Sequence, residues 1–159
     1  MASPRDIRKL ALLALYQFDL RGDADAESIR DSLNDVSTLE EEGLAFSDQK
    51  AEFTDGERDR AFELATKAYA HREIADVELN DLSTDWTVTR MPVVDRSILR
   101  MAHYEMTAAT GPKPKASVNE AVELAKLFST KNSPGFINGI LDKVLKRVLA
   151  HNTTNAAAE

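Results

Sequence analysis

Apolar residues recur at spacings of three and four along most of this chain, and strict alternation is scarce. That pattern restricts the fold to amphipathic helices packed stripe to stripe, because nothing in it supplies the strands of a sheet. Local punctuation divides the pattern. Ser3-Pro4 opens a first helix, with Ser as N-cap and Pro at the first helical position, and Gly22 ends it. Leu10, Leu13, Ala14 and Phe18 form its stripe, and Leu12, Leu15 and Tyr16 widen it, which predicts a central helix. A second helix fits residues 26–36, with Ile29, Leu33 and Val36 inward. Residues 37–55 are acidic and irregular and read as a long surface loop with room for one helical turn. Thr54-x-x-Glu57 is a capping box that opens a stretch from about 56 to 84. A run of that length is expected to break, here near His71-Arg72. Its inward residues are Phe62, Ala65, Tyr69, Ile74, Val77 and Leu82. Met91-Pro92 starts another helix with Val94, Ile98, Met101, Ala102 and Met106 inward. Gly111-Pro112-Lys113-Pro114-Lys115 is a loop. Ser117-x-x-Glu120 is a second capping box, with Val118, Ala121, Val122, Ala125 and Phe128 inward. Ser133-Pro134 starts the last helix.

The expectation is an all-α chain of seven helices. With 159 residues, it forms one helical domain over 1–150, with subdomains of about 1–84 and 90–150 and a polar, disordered tail at 151–159. The absence of cysteine excludes disulfides, thiolate zinc sites and thiol catalysis. No apolar run reaches the roughly 18 residues that a membrane span needs. No apolar segment follows a basic start, so no signal peptide is expected and the assignment is cytoplasmic.

The net charge of −7 argues against a generic nucleic-acid binder, but the charge is uneven. Residues 19–63 hold 15 acidic and 5 basic residues, whereas residues 96–148 hold 4 acidic and 9 basic. The C-terminal half therefore offers anions a positive face, or both halves are ordinary solvated helix surfaces. Catalysis finds no support. His71, His103 and His151 are far apart in sequence, and no phosphate-binding or nucleophile motif occurs. Glu120 and Glu123 read as a cap and a solvated residue. Neither enzymatic activity nor a metal or cofactor is expected. Arg5, Arg8 and Lys9 occupy the first two turns of the first helix, where the helix end itself favours anions. Arg96 and Arg100, with Asp95 beside them, make a second basic ridge. Lys131, Asn132 and Ser133 sit at another helix start. Phe136 is either core or the border of a base-stacking surface. Gly135 and Gly139, four apart, permit close approach by a helix or a ribose-phosphate. Packing is favoured at Gly139, and the two readings are nearly even at Gly135. Asn138 is expected to be hydrogen-bonded within the structure.

Four segments, LALLALYQFDL, VVDRSILRMAHYEM, SVNEAVELAKLFS and FINGILDKVLKR, occur in an order and spacing that resembles the NusB family of bacterial transcription antitermination factors, over roughly residues 4–148. The resemblance implies two roughly perpendicular three-helix subdomains and no catalytic activity or cofactor. It implies binding of boxA RNA from ribosomal RNA operons together with NusE, a small-subunit ribosomal protein, and action on the RNA polymerase elongation complex. Residue by residue, it points RNA binding at Arg5, Arg8, Lys9, Arg100, Lys131, Asn132, Ser133, Gly135 and Phe136, and NusE binding at Tyr16 and Asp95. Pro4 and Asp6 stand where the family's first helix has further arginines, and Lys9 where an acid is usual. At most about two or three phosphates are then contacted from this helix, each worth about −0.7 in the log–log salt slope. Asn132-Ser133 replaces an Asp-Ser pair. The alternative is a helical protein-interaction module, homodimeric in one version, with weakened RNA binding; monomer and homodimer both stay open. A third class, the accessory part of a ribosomal RNA cytosine methyltransferase, is the only enzymatic connection, because no Gly-rich nucleotide-binding unit is present.

Overall fold

The computed structural model describes residues 2–35, 53–84 and 86–158, with side chains as far as Thr153. The described residues hold seven α-helices and no strand. Most of the acidic stretch expected as a loop at 37–55 lies outside them, as does Val36. Two units emerge, Met1–Ala70 and His71–Glu159. The division falls at a helix break, earlier in the chain than 84–90.

The first unit is built on α1 (Pro4–Arg21), α2 (Ala26–Ser32) and α3 (Asp55–Ala70). Helix α1 begins with a full capping box. The Asp6 backbone N–H donates to the Ser3 hydroxyl at 3.1 Å, and the Ser3 N–H donates to the Asp6 carboxylate at 3.2 Å. Asp6 is therefore a buried cap partner, a role the sequence left to Ser3 alone. Leu10, Ala11, Leu12, Ala14, Leu15 and Phe18 are all buried, so α1 is enclosed over most of its circumference. Its Phe18 ring packs on Phe62 and Tyr69 of α3 at 5.9 and 5.2 Å between centroids. The predicted box at the start of α3 is formed, with Thr54 and Glu57 bonded reciprocally at 2.9 and 3.1 Å. The Thr54 N–H holds the Glu57 carboxyl below its ordinary value.

The second unit contains α4 (Arg72–Leu82), α5 (Val93–Thr107), α6 (Pro114–Phe128) and α7 (Ser133–Ala158). His71 is the break between α3 and α4. Helix α5 packs against α4, α6 and α7. It buries Ile98, Leu99, Met101, Ala102 and Met106, together with polar Asp95, Arg100, His103 and Glu105. Several expectations change here. On α4 the inward residues are Ala75, Leu79 and Leu82, whereas Ile74 and Val77 are 65% and 75% exposed. Helix α6 starts at Pro114, three residues before the expected cap. Proline at the first position sets the entry, and Ser117 becomes an interior residue whose buried hydroxyl has no hydrogen-bond partner among the described residues. Helix α7 begins at Ser133 itself, so Ser133 is not its cap, and it continues to Ala158 through the segment expected to be disordered.

Candidate nucleic-acid interface

The start of α7 is where the unusual sequence chemistry collects. Ile137, Ile140, Leu141 and Val144 form its buried stripe. Phe136 is only half-buried, because one residue's rotation takes it off that stripe. Gly135, Asn138 and Gly139 are exposed. A β-carbon added at either glycine would meet no atom within 4 Å. Gly139 therefore does not serve helix packing, and Asn138 faces solvent instead of bridging the structure. The two glycines, Phe136, Leu82 and Lys143 line an open cleft of about 220 Å3.

A second cleft, of about 340 Å3, lies on the other side of Phe136. It is lined by Trp86, Pro92, Asp95, Thr130, Asn132, Ser133 and Phe136. Asp95, 4% exposed, accepts from the Ser133 hydroxyl at 2.9 Å and from the Ser129 hydroxyl. Ser133 is itself 3% exposed, and its hydroxyl also lies 2.7 Å from that of Thr130. Asp95 thus ties the first turn of α5 to the end of α6 and the start of α7, and fixes the turn that presents Lys131 and Asn132. Both of these are exposed. Trp86, 49% exposed, is the functional candidate that sequence reasoning missed. The signal for it was present: it is the single tryptophan of the chain, in a short polar connection. Its backbone is anchored, with the Trp86 N–H donating to the Ser83 hydroxyl at 3.3 Å and the Val88 N–H donating to the Asn80 side chain at 2.7 Å.

The remaining expected residues divide by burial. On α1, Arg5 is exposed and Arg8 half-buried, and Tyr16 is 36% exposed. Arg5 and Tyr16 are three turns apart, within about 20° of one another around the axis. Lys9 is 5% exposed and lies 3.7 Å from Asp6, so it supports the cap instead of a solvent face. Arg100 is 7% exposed and grips Asp76 of α4 with two bonds, at 2.9 and 2.7 Å. Its guanidinium is committed to joining α4 and α5, which removes it from an accessible RNA surface. Ser133 and Asp95 are likewise internal to the scaffold. Within the second unit, Asn132, Ser133, Asp95 and Phe136 come together; Arg100 does not line either cleft.

One polar cluster lies apart from these clefts. His71 Nε2 and His103 Nδ1 are 3.0 Å apart, and His103 Nε2 is 3.0 Å from Glu78, which also faces Arg147. Burial lowers the pKa of both imidazoles; at His71 the neighbouring His103 adds to this, and at His103 Glu78 opposes it. Among the described residues no group of three or more His, Asp or Glu could hold a metal ion, and no helix is long and apolar enough to cross a membrane.

Comparison with known proteins places these features in context. The model described as NusB family matches residues 5–146. The transcription antitermination protein NusB of Symbiobacterium thermophilum is 38% identical over 144 residues, covering 91% of this chain and 90% of its own. A solved T. maritima NusB superposes with a TM-score of 0.72 at 28% identity, covering 92% of this chain and 93% of the other. A chain from a crystal structure of antitermination factors NusB and NusE in complex with double-stranded RNA shares the fold, with a TM-score of 0.68 at 23% identity and coverage of 90% and 96%.

Proposed function

The chain belongs to the NusB family, and on that premise we propose that it is a non-catalytic, RNA-binding transcription antitermination factor. It binds boxA RNA of ribosomal RNA operons together with NusE, and through that complex acts on elongating RNA polymerase in the cytoplasm. The observation that carries the reading is the first turns of α7. Two glycines there face open space beside Lys131, Asn132 and Phe136. A glycine inside a helix, as at Gly139, costs about 1 kcal/mol relative to alanine, and packing does not account for that cost. Close approach of a ribose-phosphate backbone does, and a helix N-terminus favours the phosphate charge. Arg5 and Arg8 supply a second basic element, and Tyr16, on the same side of α1, is assigned to NusE. Asp95 supports the RNA surface from beneath by fixing the 129–133 turn. The proposed RNA set is therefore Arg5, Arg8, Lys131, Asn132, Gly135 and Phe136.

A gel shift tests this with boxA-like and scrambled RNA, with and without NusE, at two salt concentrations. The expected result is preferential binding of the boxA-like strand, enhanced by NusE and weakened by salt. Equal binding of the two RNAs with NusE present contradicts it.

A further inference from the structure

We propose that Trp86 is an RNA-contacting residue and that the cleft it shares with Phe136 takes one unpaired nucleobase. This rests on the RNA-binding reading above and names what that reading leaves out: the chemistry of the base site.

An exposed tryptophan needs an explanation, because its ring is the largest apolar surface a residue can leave in water. Trp86 is half-exposed, yet its backbone N–H donates to Ser83, and Asn80 holds Val88 two residues further on. The ring therefore stands beside hydrogen-bonded backbone at Trp86 and Val88 and does not owe its place to its own burial. The cleft it lines is open and holds about 340 Å3, at the small end of ligand-sized sites. Its lining combines the apolar Trp86, Phe136 and Pro92 with the polar Asp95, Thr130, Asn132 and Ser133. That combination matches a nucleobase, which has two apolar faces and a polar edge. Asn132 carries both a donor and an acceptor, which is what an edge with mixed groups requires. The Asp95 carboxylate at this cleft is already engaged by two hydroxyls, which lessens its repulsion of an approaching strand.

Charge and continuity favour a nucleic-acid strand over an apolar peptide. Lys131 is the chain neighbour of the lining residues Thr130 and Asn132, and the N-terminus of α7 lies at the cleft through Ser133. Phe136 also lines the neighbouring cleft, where Gly135, Gly139 and Lys143 lie. A base held at Trp86 leaves its ribose-phosphate to run over the open glycines.

Trp86 is the only tryptophan in the chain, so its fluorescence reports directly on this site. The experiment titrates the full-length protein, with NusE present, with single-stranded boxA-like RNA. It follows intrinsic Trp86 emission and, in parallel, the anisotropy of end-labelled RNA. Stacking quenches indole emission, so quenching should saturate at the same RNA concentration as the anisotropy. Trp86→Ala should weaken RNA binding by about 5- to 140-fold, the range for loss of one base–aromatic stack. Trp86→Phe should restore much of it, and the melting temperature of both variants should stay near that of the parent. If anisotropy reports tight binding but emission does not change and Trp86→Ala binds equally, the base site is overturned and the RNA reading stands. If Trp86→Ala loses NusE binding but not RNA binding, the cleft is a protein interface and the proposal fails. If no RNA binds, both readings fall together.

Discussion

The guanidinium of Arg100 makes two bonds to Asp76 inside the second unit, while Arg5 stands exposed on the first turn of α1. The same residue type has two different fates, and mutation should separate them. Arg100→Ala leaves Asp76 without its bidentate partner. It should cost about 3 kcal/mol, the lower end for breaking a buried pair because Asp76 is 22% exposed. Urea denaturation checks this, and the folded fraction should bind RNA as before. Charge reversal of Arg5 and Arg8 should do the opposite. The unfolding midpoint should stay nearly unchanged, while RNA affinity falls and the log–log salt slope flattens by about 1.4, two phosphates at 0.7 each. Loss of folding in that variant would mean these residues are structural. Sequence alone made Lys9 and Arg100 look like their accessible neighbours, because their burial is decided by tertiary placement. Asp76 lies 24 positions from Arg100, and no local spacing announces that pairing. Trp86 was overlooked for the converse reason: its exposure, not its identity, makes it informative.

At the scale of elements, what was legible is what is local. The start of α1, the Thr54 capping box and the break at His71 follow from residues within a turn of each other. The start of α6 was misread because two start signals compete within four residues, and Pro114 precedes Ser117. The two readings open at Phe136 were divided by the phase of α7, which buries Ile137 and leaves Phe136 at the edge of the stripe. The open face of that helix gives a direct test. Gly139→Ala should raise stability by about 0.8 kcal/mol, since the added methyl meets open space and helix propensity improves. The same change should weaken RNA binding if a backbone passes there; thermal melts and anisotropy read the two effects separately. The His71–His103 pair joins the start of α4 to α5 and gives that packing a pH dependence. Both pKa values lie below the ordinary 6.5 in the folded state, chiefly through burial. The unfolded chain therefore binds more protons than the folded one below that pH. Stability from the pair is complete above about 6.5 and falls as pH drops through it. The melting temperature should decline between pH 7.5 and 5.5, and a His71→Gln, His103→Gln variant should show a flatter profile over that interval.

For the whole molecule, a net charge of −7 works against indiscriminate binding to polyanions, and the proposed RNA set draws its basic residues from local positions, Arg5, Arg8 and Lys131. The helix count and family were readable because periodicity, caps and the NEAVELAK and FINGILDK segments are properties of short stretches. The site was readable only in part. The residues near Phe136 were named, but their division into scaffold (Asp95, Ser133) and surface (Asn132, Gly135) depends on packing between α5, α6 and α7. A helical protein-interaction module with weakened RNA binding would keep the same fold and caps, so fold does not decide between them. Ultraviolet crosslinking of the full chain to boxA-like RNA in the presence of NusE, with the crosslinked peptides mapped, does. The expected map has crosslinks in the first turns of α1 around Arg5 and Arg8, and in the segments around Trp86 and 131–136, each reduced with scrambled RNA. Crosslinks absent from both regions, or unchanged with scrambled RNA, would contradict the account.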